Sequence, residues 1–143
     1  MNGAELGRNS DELRDEVDAD RFELVRDGEV AAWMKYKHLK PNRYVLLHTE
    51  VDQAQRGHGI GRVVVEAVLD EIRSRQGTVT AICPYVADYL SGAEQYKDLI
   101  DPSHPGYPNR AAAEGGDGTI PTRTGTVRYW LGRSRSPLRS LKT

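Results

Sequence analysis

Gln55-Arg56-Gly57-His58-Gly59-Ile60-Gly61 is the stretch on which the reading of this 143-residue chain turns. Before it stands YVLLHTEV (residues 44–51), with the apolar and β-branched content of a strand. After it stands RVVVEAVLDEIR (62–73), with the spacing of a helix. Glycine at three alternate positions is costly in backbone entropy, so this strand-to-helix turn has a reason to exclude side chains. Backbone N–H groups at a helix start favour negative charge. A phosphate or pyrophosphate is therefore the expected guest, and glycines alone leave a tight turn without ligand open as the alternative. The spacing is not the G-x-G-x-x-G of a dinucleotide loop, nor the Gly-Lys-Ser/Thr ending of a triphosphate loop.

The helix is the clearest element. Ile60, Val64, Val68 and Ile72 recur every four residues, Val65 and Leu69 widen the stripe, and Arg62, Glu66, Asp70 and Arg73 fall on the other side. Glu71 and Arg75 form a supportive i,i+4 pair, and Gly77 is the expected terminating residue. Upstream, RFELVR (21–26), the turn signal Asp27-Gly28, EVAAWMKYK (29–37), the turn KPN and RYVLLHTEV (43–51) read as an antiparallel meander. Trp33 is expected in the core and Tyr36 on the surface. Downstream, TVTAIC (78–83) is a short strand. Pro84 suits the first position of a helix through YVADYL, and AEQYKDLI (93–100) suggests a last short helix. The fold class is α+β.

Length fits one domain. Residues 1–101 hold 13 Lys+Arg and 19 Asp+Glu, net −6, whereas residues 102–143 hold 7 and 2, net +5. Residues 1–19 are expected to be a flexible arm, 20–101 the folded domain and 102–143 a disordered basic tail. Arg and aromatics mix in the tail, but nucleic acid is not an expected partner. No apolar run approaches the roughly 18 residues that span a bilayer. The opening residues lack the pattern of a secretory signal, so a soluble cytoplasmic protein is expected. One cysteine, Cys83, excludes an internal disulfide and a multi-cysteine zinc site, and no metal ligand set is read.

Arg56-Gly57-His58-Gly59-Ile60-Gly61 resembles the [Q/R]-x-x-G-x-[G/A] motif of the GCN5-related N-acetyltransferases, placed between a central strand and its long helix as in that family. HTEV, RGHGIG, CPYVADYL and YKDLI, in that order, resemble its small single-domain acetyltransferase-like subgroup over roughly residues 20–101. Gly92-Ala93-Glu94-Gln95-Tyr96 departs from the His-Pro-Glu-Tyr-like stretch frequent in that subgroup. The resemblance implies a compact fold of this type. Acetyl-CoA would be the cosubstrate, an amine (protein lysine or small molecule) the acceptor, and the loop the holder of the pyrophosphate. Val51, Arg56, Gly57, His58, Gly59, Ile60, Gly61 and Arg62 are then the cofactor-binding candidates. A module that binds CoA or a protein without catalysis is the other function considered.

Acetyl transfer from a thioester needs a deprotonated amine, a polarised carbonyl and a proton for the departing thiolate. Cys83 ends a strand just before a proline-started helix, a setting that lowers a thiol's pKa, and the subgroup's proposed catalytic cysteine matches this position. Inert burial is the competing role of a lone cysteine. His48 and Glu50 share a strand face by the period of two and are the candidate bases. Tyr85 and Tyr89, one helical turn apart, are candidates for the cofactor groove or for packing on the sheet.

Overall fold

The computed structural model describes residues 11–115, together with the backbone of 119–122 and 125–128. One five-stranded mixed sheet has the order β1-β2-β3-β4-β5. Its strands are β1 Asp11–Glu16, β2 Arg21–Arg26, β3 Glu29–Leu39, β4 Arg43–Val51 and β5 Thr78–Ala81. The first four pair antiparallel, and β5 runs parallel to β4 from Arg43↔Thr78 to Leu46↔Ala81. A parallel neighbour needs a long crossover, and helix α1, Ile60–Ser74, supplies it. The expected α+β architecture is found: a meander, the helix behind the glycine loop, a further strand and short helices. Of those, α2 spans Pro84–Ser91 and a 3-10 segment spans Glu94–Leu99.

Local chemistry explains the joints. Asp27 and Gly28 both have positive φ, 53° and 82°, so they form the two-residue turn whose twist suits a hairpin. The apolar stripe of α1 is buried throughout, with Ile60, Val64, Val65, Val68, Leu69 and Ile72 each at most 1% exposed. They join Phe22, Leu24, Met34, Tyr44 and Leu46 in one core. Each such side chain contributes about 1.5–3 kcal/mol when fully buried, so the helix that starts the loop is firmly seated.

Four expectations need correction. The helix ends through Gln76, whose φ is +62°, rather than through Gly77. Gly77 is small for another reason: a Cβ there would lie 2.9 Å from the Tyr44 ring and 3.0 Å from the Asn42 carbonyl. Trp33 and Tyr36 exchange places, since Tyr36 is buried with Ala32 and Met34 while Trp33 shares the open face with Lys35. The guanidinium of Arg21 covers the Trp33 ring at 4.9 Å.

The fold also starts earlier than expected. All six residues of β1 pair with β2, and Asp11 takes two 2.7 Å hydrogen bonds from buried Arg26. Asp15 accepts from the Tyr36 hydroxyl at 2.6 Å and from Arg75 at 2.9 Å, which ties β1 to the end of α1. Residues 1–10 lie outside the described residues.

It ends later, too. Gly106 bridges to Ala81, Ala81 N–H donates to the Pro105 carbonyl, Tyr107 N–H donates to the Ala81 carbonyl, and Tyr107 is buried. Helix α3, Arg110–Gly115, follows. The backbone of β6, Thr119–Thr122, pairs antiparallel with that of β7, Gly125–Arg128. Residues 129–143, with most of the basic charge expected of a tail, lie outside the described residues.

Candidate active site

The sheet opens where β4 and β5 part. Their register stops at Leu46↔Ala81, and the N–H groups of Ile82 and Cys83 both turn onto the Leu46 carbonyl. Beyond that point β4 keeps β3 on one side but, among the described residues, has no strand on the other. The pairing of β3 with β4 also slips there, Tyr36 facing Leu46 and Lys35 facing His48, so Leu47 is an extra residue. After this bulge, His48 and Glu50 share a face with Lys35 and Trp33, their cross-strand partners, while Thr49 and Val51 share the other with Met34 and Ala32.

Between β4 and the start of α2 lies a cleft of about 410 Å³, lined by Thr49, Glu50, Val51, Arg56, Gly57, Gly59, Ile60, Gly61, Tyr85 and Arg110. Its floor is the glycine loop. Asp52 accepts from the Ala54 N–H and turns the chain off β4 into the 3-10 turn Gln53–Gln55. Arg56 then donates from Nε to the Val51 carbonyl at 3.2 Å, and its Nη2 lies 3.5 Å from Glu50.

The three glycines have different tasks. Gly57 and Gly59 sit at φ +87° and +75°, in the left-handed region, and no atom lies within 4 Å of where a Cβ would be. That open space at a helix start fits an anion held by backbone amides. Gly61 has ordinary backbone, but a Cβ there would stand 2.9 Å from the Tyr85 hydroxyl. It makes room for a tyrosine.

Of the residues singled out as cofactor-binding, Val51, Arg56, Gly57, Gly59, Ile60 and Gly61 line this cleft; His58 and Arg62 do not. His58 is exposed, and Arg62 points along α1 to Glu66 at 3.0 Å. Glu66 also accepts from the Tyr89 hydroxyl at 2.6 Å, so Tyr89 braces α2 against α1 rather than facing the cleft.

The catalytic candidates divide into two groups. His48 Nε2 donates to Glu50 Oε1 at 2.6 Å, and only Glu50 of the pair lines the cleft. Cys83 is 2% exposed, and its sulfur lies 3.4 Å from the hydroxyl of Thr49. Thr49 faces away from His48 and Glu50, so the thiol and the carboxylate are on opposite sides of β4.

Two lining residues, Thr49 and Arg110, were not among the expected site residues, and a third, Tyr85, was expected either in the groove or packed on the sheet. Thr49 lies inside the HTEV segment, between the two candidate bases. Tyr85 is half-buried, and burial first, then the charge of Asp88, holds its phenol above its ordinary pKa; Arg110 and Arg62 pull the other way. The phenol is therefore neutral near neutral pH. Arg110 comes from α3, beyond the expected domain boundary, and had no signal in the sequence.

A family model described as GCN5-related N-acetyl-transferase matches residues 21–99. Among solved structures, the chain is similar to a GCN5-like candidate N-acetyltransferase from Staphylococcus aureus, at 20% identity and a TM-score of 0.50, over 64% of this chain and 89% of that one. It is also similar to the ribosomal-protein-S18-alanine N-acetyltransferase from Escherichia coli, at 22% identity and a TM-score of 0.35, over 52% of this chain and 42% of that one. No curated protein matches significantly. The first of these structures bears out the fold, the match of the family model covers more than half of the sequence, and the chain belongs to the GCN5-related N-acetyltransferase family.

Proposed function

We propose that the chain is an acetyl-CoA-dependent N-acetyltransferase whose cofactor occupies the cleft between β4 and α2. The observation that carries this reading is the joining of two features in one cleft: a glycine loop with open space at Gly57 and Gly59, and a stretch of β4 that pairs with β3 on one edge and, among the described residues, with no strand on the other. The loop from Arg56 to Gly61 would hold the pyrophosphate, with Ile60 and Val51 as apolar wall and the His58 ring and the Arg62 guanidinium outside the cleft lining. When bound, acetyl-CoA supplies an activated thioester carbonyl.

The chain's own residues then handle protons. Glu50, at the cleft wall, takes a proton from the approaching ammonium, directly or through water, and His48 holds the carboxylate in position at 2.6 Å. Tyr85 Oη donates toward the departing sulfur, and Gly61 keeps that hydroxyl at the cleft. Cys83 is the second candidate donor or nucleophile, one hydroxyl removed from the cleft through Thr49. The acceptor is an amine of a protein lysine or a small molecule, and the site of action is the cytoplasm. No helix among the described residues is long and apolar enough to cross a membrane.

The test is titration calorimetry with acetyl-CoA, followed by thiol release over a panel of amines. Saturable binding with turnover on at least one amine supports the reading. Binding without turnover on any amine points instead to a CoA-binding module, and absence of binding overturns both.

A further inference from the structure

We propose that Arg110 is a phosphate-binding residue for the cofactor, delivered to the cleft by a segment outside the part of the chain that matches the family. This rests on the reading of the cleft as a CoA site. The family match stops at residue 99, yet Arg110 lines the same cleft as the glycine loop.

The segment that brings it there is built, not draped. Thr78 Oγ1 donates to Asp101, whose other oxygen accepts from the Ser103 and His104 N–H groups. Thr80 Oγ1 donates to the His104 carbonyl at 2.6 Å. The chain then closes on the free edge of β5 through Pro105, Gly106 and Tyr107, all bonded or bridged to Ala81. Gly106 has φ +82°, and a Cβ there would lie 2.3 Å from the Ala81 carbonyl oxygen, so the approach is closer than any side chain permits. Asn109 accepts from the Ala112 N–H and starts α3. Three residues after buried Tyr107, Arg110 is thereby fixed at the cleft rather than left on a loose end.

Its chemistry suits the same guest as the loop. A guanidinium is always charged and matches phosphate oxygens in a planar fork. Glu114 takes its Nε at 3.1 Å in an exposed i,i+4 pair, worth little to stability. That pair orients the side chain without fixing its whole fork. Arg56, the other guanidinium of the cleft, is bonded back to β4 through Val51 and Glu50. Arg110 thus lines the same cleft as the loop, and an anion held there can meet backbone amides and a guanidinium together.

The ligand chemistry is a phosphate of the CoA nucleotide, from either the pyrophosphate or the 3′-phosphate. Calorimetric titration of the full chain with CoA and with dephospho-CoA separates them. Arg110→Gln is expected to weaken CoA binding about tenfold or more, the scale of one lost charge-assisted contact, with an unchanged melting temperature in the absence of ligand. Arg110→Lys is expected to restore part of the affinity. A loss equal for both ligands assigns the pyrophosphate, and a loss confined to CoA assigns the 3′-phosphate. If wild type binds CoA and Arg110→Gln binds it equally well, the inference fails while the CoA site stands. If wild type binds neither ligand, both fall together.

Discussion

A Cβ on Gly61 would lie 2.9 Å from the hydroxyl of Tyr85 and 3.0 Å from its Cζ. The last glycine of the loop motif is thus the one whose smallness serves a side chain of α2. Gly61→Ala separates these roles. Alanine is better than glycine in a helix by about 0.8–1.0 kcal/mol, and the clash falls on the far end of a side chain that can turn. Thermal stability is expected to stay within a few degrees of wild type, while kcat falls because the phenol is displaced. An unchanged kcat would mean that the position of Tyr85 is immaterial to transfer.

Asp11 and Arg26 form a buried ion pair at the sheet edge, with two 2.7 Å hydrogen bonds. Removing one member of a buried pair leaves the other charge uncompensated, at a cost of about 3–5 kcal/mol. Asp11→Ala should therefore lower the denaturant midpoint clearly, and a chain with both residues replaced by apolar ones should recover much of it. If Asp11→Ala unfolds like wild type, β1 is dispensable.

The segment after Asp101 is expected to matter in the same way. A chain ending at Asp101 loses the cover of Tyr107, worth about 1.5–3 kcal/mol, and leaves Ala81 without the partners it has in Pro105 and Tyr107. For a domain of this size each kcal/mol is about 4–8 °C, so the melting temperature should drop by roughly 5 °C or more. A midpoint equal to that of the full chain would show that the closure on β5 contributes nothing.

What was legible in the sequence, and what was not, follows from the kind of interaction involved. The stripe of α1 and the alternation of β3 announce themselves because burial imposes a period. Trp33 obeys that period as well. It alternates with Met34 and shares its face with Lys35, so its exposure was readable, and its size misled. By contrast β1 reads DELRDE, with Leu13 as its one apolar residue, because it is held through Asp11, Asp15 and backbone pairing rather than through an apolar face. The Gly106 contact and Arg110 are tertiary accidents of where the chain returns, and no local pattern marks them. Of the residues that line the cleft, the glycines and Glu50 were readable as candidates from spacing. The distinction between Gly57 and Gly59, which need positive φ, and Gly61, which needs space, was not.

Tyrosine ionisation should make the fold sensitive to alkali. Burial, then the hydrogen bond to Glu66, raises Tyr89 to about 12 from an ordinary value of 10.0. Because the folded value is the higher one, its contribution is fully present below pH 10 and is lost as pH rises from 10 toward 12. Tyr96 is shifted in the same direction by burial and by Asp70. Melting temperature should fall over that window, and Tyr89→Phe should flatten the fall. An identical alkaline slope in the variant would remove Tyr89 from the account.

The last expectation decides which proton donor serves the departing thiolate. Tyr85 lines the cleft as a neutral phenol, whereas Cys83 is 2% exposed and meets Thr49 rather than the cleft. A positioned acid is worth about 10²–10⁴ in rate. Tyr85→Phe should therefore lower kcat about a hundredfold or more with little change in CoA affinity, because it removes one oxygen and leaves the loop intact. Cys83→Ala should cost less than about tenfold, through lost packing alone, and Cys83→Ser should restore nothing specific. Intact mass after incubation with acetyl-CoA should show no acetyl group on the protein. The opposite pattern is equally clear: a hundredfold loss in Cys83→Ala, with an acetyl adduct in wild type that forms and decays as fast as turnover. That result would assign the thiol as nucleophile, with β4 and α2 opening between Thr49 and Cys83 to admit the thioester. If neither variant is impaired, Glu50 and His48 on the other face of β4 become the groups to replace, and Glu50→Gln should then abolish turnover near neutral pH.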